Sequence, residues 1–312
     1  MNQTALFVGD TVFDTTVRVD SLPAADEKVV STHLTDALGG VVTNAAIACS
    51  RTGTPTTLVS SVGSDAAGRE CVRQAEKAGV DFRPEVAAGP SSRAVITIAE
   101  DGEKHLVLVP GTRMYPSETM CRDLSLASVG WLHTAVYDPA AARAVIARCA
   151  GDGVPWSVDL EPATFTGGIE TLAGHLDGAA AVFCNTRAAQ AVGPAPERVL
   201  FGLGARAVVF TDGARGARWC TPGGAGVSVP LPRGQRPVVD TTGAGDCLAG
   251  SFVGMMLETG DPLESLRYAV TAASYSCSGF GAGSAYATRA EVMRWYRPSE
   301  NAPGDARERG AS

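Results

Sequence analysis

Hydrophobic and polar positions fall into two rhythms along this chain. Residues 5–9 form a short apolar run closed by Gly9, the pattern of a buried strand and turn. Residues 15–19 and 29–34 alternate polar and β-branched positions on either side of Pro23, which predicts two half-exposed strands. A second pair, 93–99 and 104–109, is joined by Glu100, Asp101, Gly102 and Glu103, the signature of a hairpin with an Asp-Gly turn. Together these stretches, about 12–36 and 92–110, predict a small β-sheet protruding from the main body.

Elsewhere the rhythm is helix then strand. Helical spacing runs over 41–52 and 66–78, each followed by a glycine, with a strand at 56–62 between them. Apolar runs at 131–135, 156–159, 180–184 and 207–211 read as buried strands separated by helical stretches. Two more helices are predicted at 247–258 and 263–277. Buried strands alternating with helices imply an α/β fold, a mostly parallel central sheet with helices on both faces. No repeat or linker divides residues 1–297, and the polar stretch 298–312 reads as a disordered tail.

Composition narrows the function. A net charge of −7 argues against a nucleic-acid surface, which needs clustered Lys and Arg, but leaves room for a nucleotide held by backbone N–H groups. No apolar stretch reaches the roughly 18 residues of a membrane span. The first residues lack the basic and cleavage features of a signal peptide, so the protein is expected in the cytoplasm, without a membrane partner. Eight cysteines lie scattered with no C-x-x-C and no histidine at ligand spacing; they read as small buried hydrophobes in a reducing compartment, and no zinc site is expected.

The densest chemistry lies at 238–252, where a short apolar strand runs through a glycine-rich turn directly into a helix. That arrangement aims the N–H groups of Gly243, Ala244 and Gly245 at one point beside a helix N-terminus, a nest for phosphate. Asp246 then stands next to that point. Two readings are open: an ordinary Asp cap on a glycine turn, or a carboxylate that meets a phosphoryl group.

The run Asp240, Thr241, Thr242, Gly243, Ala244, Gly245, Asp246 resembles the C-terminal signature of the ribokinase-like (PfkB) carbohydrate kinase family. About 200 residues earlier, Gly39 and Gly40, Asn44 four residues on, and the Val62-Gly-Ser-Asp-Ala-Ala-Gly68 turn resemble the N-terminal signature. The likeness extends over residues 4 to about 296, and the protruding strands resemble a β lid over the sugar. No P-loop and no complete G-x-G-x-x-G is present.

The resemblance implies ATP-dependent phosphorylation of a sugar hydroxyl, with Mg²⁺ as metal. In it Asp246 is the catalytic base and Gly243, Ala244 and Gly245 form the anion hole. Asp14, on the turn after the first strand, would bind sugar hydroxyls with Gly39, Gly40 and Asn44. Thr211, Gly213 and Gly216 would line the nucleotide with Asn185 and Thr241. Asp240, Thr242, Ser276, Gly279 and Gly281 would supply oxygens to K⁺, a site for which a glycine-rich loop needing no ion is the equal alternative. Exposed lid edges offer a surface for a homodimer.

Two departures stand out. The family pattern N-x-x-E becomes Asn185-Thr-Arg-Ala188, so the acid that helps organise Mg²⁺ is missing; either other groups hold the metal through waters, or a different carboxylate substitutes, with Asp159 and Glu161 as candidates. Val41 follows the Gly-Gly where a polar residue is common. His133 reads as a buried histidine rather than a sugar ligand. Beside the sugar kinase stand a nucleoside kinase on the same fold and a catalytically silent sugar or nucleotide sensor; a Rossmann oxidoreductase is disfavoured because no phosphate-binding glycine loop follows the first strand.

Overall fold

The computed structural model describes residues 3–31, 33–100, 103–234 and 236–296. The expected tail at 298–312 and the Asp101-Gly102 turn lie outside them. The strands are β1 (Thr4–Val8), β2 (Val12–Arg18), β3 (His33–Gly39), β4 (Thr56–Gly63), β5 (Asp81–Ala87), β6 (Arg93–Ile98), β7 (Lys104–Val109), β8 (Val129–Ala135), β9 (Trp156–Asp159), β10 (Ala181–Asn185), β11 (Val208–Thr211), β12 (Ala217–Cys220) and β13 (Val227–Val229). The helices are α1 (Val41–Arg51), α2 (Ala66–Lys77), α3 (Glu118–Asp123), α4 (Pro139–Asp152), α5 (Ala173–Leu176), α6 (Thr186–Val192), α7 (Pro196–Gly202), α8 (Ala244–Thr259), α9 (Pro262–Ser276) and α10 (Arg289–Met293).

One sheet has nine strands in the order β13-β12-β11-β10-β9-β8-β1-β4-β5. It is parallel from β5 to β11, and β12 and β13 turn antiparallel at one edge. The central strands carry apolar side chains on both faces. Phe7, Leu58 and Phe183 pack under α1, α8 and α9 on one side, while Leu6, Val8, Leu132 and Val158 pack with α4 on the other. From β1 the chain moves first towards β4 and β5, then returns to build β8 to β11 on the opposite flank. The switch leaves a crevice outside the carboxyl ends of the strands beside β1, where such sheets bind ligands.

The second sheet, β3-β2-β6-β7, is the expected lid. Its β3 begins at His33 and runs to Gly39, not over 29–34. Pairing runs from Arg18 opposite His33 to Val12 opposite Gly39, so the register with β2 carries the strand into the Gly-Gly, while Val30 stays 85% exposed. Strands β5, β12 and β13 are additions to the sequence reading. Pro84 sits in β5 without penalty because that strand is the sheet's edge.

All eight cysteines are free; Cys277 is half-buried and the others are buried, as small hydrophobes are. Among the described residues no helix is long and apolar enough to cross a membrane. His133 is fully buried as expected, its Nδ1 2.8 Å from Ser157 Oγ; burial holds its ring neutral, with a pKa lowered to about 3.

Candidate active site

Two segments distant in sequence meet at the crevice. Helix α8 starts at Gly243, whose φ of +71° is a left-handed conformation that suits glycine; a Cβ there would lie 2.5 Å from the Tyr286 hydroxyl. Tyr286 donates to the Gly243 carbonyl at 2.7 Å and fixes the turn. The first intrahelical bond to that carbonyl comes from Cys247 N–H at 2.8 Å, while Ala244 N–H makes only a long 3.3 Å contact to the Thr241 carbonyl. The helix start therefore keeps N–H donors, and its positive dipole end, for an anion.

Asp246 lies in the first turn of α8, half-buried, and its Oδ2 accepts a 2.9 Å hydrogen bond from Asn44 Nδ2. That bond spans 202 positions and joins the two sequence motifs. Asn44 is itself buried, on α1, and its Oδ1 has no protein partner among the described residues. Desolvation raises the Asp246 carboxyl to about 8, aided by the charges of Glu161, Asp10 and Asp14; the Asn44 hydrogen bond opposes the rise.

Helix α1 is held to the end of β1 by a residue that the sequence reading passed over. Buried Asp10 accepts hydrogen bonds from Val41 N–H at 2.9 Å and Val42 N–H at 3.0 Å, and its carbonyl accepts from Thr43 Oγ1 at 2.7 Å. Its carboxylate thus caps α1 from a separate strand, while Gly40 at the N-cap makes no side-chain cap bond. The available signal was an acid immediately past a buried strand end, at the carboxyl edge of a parallel sheet.

Asp14 corrects the expected turn: it lies within β2, opposite Ala37 of β3 and Ala94 of β6, on the lid sheet. A Cβ at Gly39 would lie 2.1 Å from Asp14 Oδ2, so only a glycine lets the carboxylate occupy this place. Burial, with the charge of Asp10, pushes the Asp14 carboxyl up to about 7.

Asp159 and Glu161, at the end of β9, join the same group of acids. Each has its carboxyl raised by desolvation first; Glu161 and Asp246 add to the rise at Asp159, and Asp10 adds at Glu161 where Arg187 opposes it. The position of the missing acid, Ala188, lies on α6 and is fully buried against the core, and Asn185 caps that helix by accepting Ala188 N–H at 2.8 Å. Asn185 thus serves first as a cap.

Of the residues expected to line a nucleotide, Thr211, Gly213, Gly216 and Thr241 share one cavity of about 310 Å³ with Ala244 and Gly245, alongside Leu248, Val270 and Ala273. Asn185, Thr211 and Gly216 line a more polar neighbour of about 370 Å³. Asp240 clamps two loops: its Oδ1 accepts from Thr242 N–H at 2.9 Å and Thr242 Oγ1 at 2.6 Å, and its Oδ2 from Gly281 N–H at 3.0 Å. Gly279 N–H bonds the Ser276 carbonyl at 3.1 Å, and Ser276 Oγ donates to the Ala273 carbonyl at 2.8 Å. Among the described residues no group of three or more His, Cys, Asp or Glu is placed to hold a metal.

An open parallel sheet with a β lid, carboxylates at the sheet's switch point and a glycine nest on the facing helix define a ribokinase-like kinase. The family model for pfkB family carbohydrate kinases matches residues 2–289, and the chain belongs to that family. An ATP-dependent ribose-1-phosphate kinase of Halopiger xanaduensis is 30% identical over 284 residues, covering 90% of this chain and 94% of the relative. A ribokinase of Bacillus subtilis is 28% identical over 295 residues, covering 91% and 96%. The structure of Arabidopsis thaliana ribokinase complexed with ribose and ATP superimposes with a TM-score of 0.80 at 22% identity, covering 96% of this chain and all of that one (100%).

Proposed function

We propose that this protein transfers the γ-phosphate of ATP to a hydroxyl of a sugar or sugar derivative. The observation that carries the reading is the 2.9 Å bond between Asn44 and Asp246, which sets an acceptor-side amide against a carboxylate beside an anion nest. In this reading residues 1–297 act as one kinase unit with its lid. The acceptor lies among Asp14, Gly39, Gly40 and Asn44, where the unpartnered Asn44 Oδ1 takes a hydroxyl proton donor. Asp246 accepts the proton of the attacking hydroxyl as its oxygen bonds to the γ-phosphorus, the bond to the bridging oxygen breaks, and ADP leaves. Gly243, Ala244 and Gly245 hold the charge that builds on the transferring group.

ATP occupies the cavity lined by Thr211, Gly213, Gly216 and Thr241, with Asn185 on its phosphate side. Mg²⁺ fits this donor set: desolvation raises the proton affinity of Asp159 and Glu161, neighbouring acids add to it, and a divalent cation there would relieve both. Such an ion is bound through one or two carboxylates with phosphate and water, and Asp159 and Glu161 would hold its waters in place of the missing acid at 188. When bound, Mg²⁺ offsets charge on the phosphates. A K⁺ site at Asp240, Thr242, Ser276, Gly279 and Gly281 would draw on carbonyls, because the Asp240 carboxylate is already engaged by the loop.

The lid's edge strand β7 exposes Leu106 (60%) and Val107 (59%), a surface suited to a homodimer in the cytoplasm. The carboxylates around the acceptor favour a polyol over a nucleobase. The silent-sensor alternative draws no support, since base and nest are both intact.

A panel of sugars, sugar phosphates and nucleosides in a coupled ADP-release assay tests the function. Acceptor-dependent ADP release with a sugar is expected. Release only with nucleosides, or with no acceptor in the panel, contradicts the assignment.

A further inference from the structure

Behind the nucleotide cavity, α9 and the loop carrying Leu231 also wall a second recess. Helix α9 turns Val270 and Ala273 towards the cavity at α8, and Arg267 and Thr271 towards another of about 740 Å³. The two pairs, three and four residues apart, each hold to one side of the helix, and their mean directions differ by about a quarter turn or more at roughly 100° per residue. Leu231, on the loop before α8, lines both cavities, while Arg233 and Trp295 line the second. An adjoining recess of about 290 Å³ shares Trp295 and adds Arg236, Tyr275, Glu291 and Arg294.

The charge is unusual for a chain of net −7. Arg233, Arg236, Arg267 and Arg294 surround the recess, and the nearby acids are engaged locally. Glu264 accepts from Arg267 at 2.7 Å and from the Tyr296 hydroxyl. Glu291, which lines the smaller recess, accepts from Thr288 N–H and Oγ1, each at 2.8 Å, as part of a capping box; those bonds hold its carboxyl low, aided by the charges of Arg294 and Arg236, so two guanidinium groups face its one negative charge. The Arg236 guanidinium lies 4.5 Å from the Tyr275 ring centroid and 5.9 Å from that of Trp295. A planar cation held against two rings leaves N–H donors free for an anion, and Trp295, 37% exposed, presents a ring for stacking. The size is that of a small-molecule site.

We propose that this recess is a second nucleotide site, separate from the catalytic one, which binds phosphate through Arg236 and Arg294 and stacks the base on Trp295. None of these residues belongs to the proposed kinase centre. The test is equilibrium dialysis of labelled ADP against the full-length chain and an Arg236→Ala/Arg294→Ala double variant, both side chains being exposed, with matched thermal melts as the check that the variant folds. Saturation is expected at two equivalents for the wild type and one for the variant. A fall from one equivalent to none would support this site and contradict the catalytic nucleotide site. Equal stoichiometry in the two proteins, at any number, overturns the proposal. Inorganic phosphate should compete for the second equivalent at least about tenfold more weakly than ADP, since it lacks the ring; equal potency overturns recognition of a nucleotide.

Discussion

Replacing Asn44 by alanine should move the alkaline shift of Asp246 further upward. In the wild type the Asn44 amide is the group that opposes desolvation at Asp246, through a 2.9 Å hydrogen bond, and the carboxyl still stands at about 8. Hydrogen bonds to charged groups contribute about 1.5–3 kcal/mol. With about 1.4 kcal/mol per pH unit, loss of this bond raises the carboxyl by roughly one to two units. A base must be ionised, so activity is lost as pH falls through its pKa. The acid limb of log kcat/KM, which reports the free enzyme, should shift from near pH 8 to about 9–10, and activity at pH 7 should fall by roughly ten- to a hundredfold. The Asn44→Ala change will also raise KM for the acceptor, but a contact with the acceptor alone does not move the limb. Initial rates of ADP release across pH 6–10 make the measurement. A variant with lower activity and an unmoved limb would refute the coupling of Asn44 to the base.

Three further outcomes follow from the geometry. Gly39→Ala places a methyl 2.1 Å from the Asp14 carboxylate and should raise KM for the acceptor at least about tenfold with a cost of about 1–3 kcal/mol in a denaturant titration. Gly243→Ala combines a φ of +71° with a Cβ 2.5 Å from the Tyr286 hydroxyl, and kcat should fall about a hundredfold or more as the nest is displaced. Asp246 has a folded pKa near 8 against an unfolded value of 3.8, so the folded state holds the extra proton: its contribution to stability is fully present below about pH 4 and is lost as pH rises through about 8. The wild-type melting temperature should therefore drop more steeply between pH 6 and 9 than that of Asp246→Asn, as scanning calorimetry would measure.

Much of this arrangement was legible because its signals are local. The glycine turn ahead of α8 and the alternation in β2, β6 and β7 depend on backbone needs that a short window displays. Asp14 was legible as a motif residue but misplaced on a turn, since only pairing of β2 with both β3 and β6 makes its position a strand. Asp10 was missed because its partners, Val41 and Val42, lie 31 and 32 positions away. An acid just past a buried strand end marks a position worth noting, but not which distant N–H groups it caps. Strands β12 and β13, of four and three residues, are too short to show a period. Asp159 and Glu161 stood out as candidates by their place at a strand end, yet their elevation together with Asp246 is a property of distance in space.

The central claim is that Asp246 is the base of a phosphoryl transfer, and its most direct test is the turnover of Asp246→Asn on the acceptor that the panel identifies, with nucleotide affinity measured by calorimetry on the same preparation. The account predicts kcat lowered by about 10²–10⁴ with ATP affinity within about threefold of wild type. Turnover near wild type would contradict it.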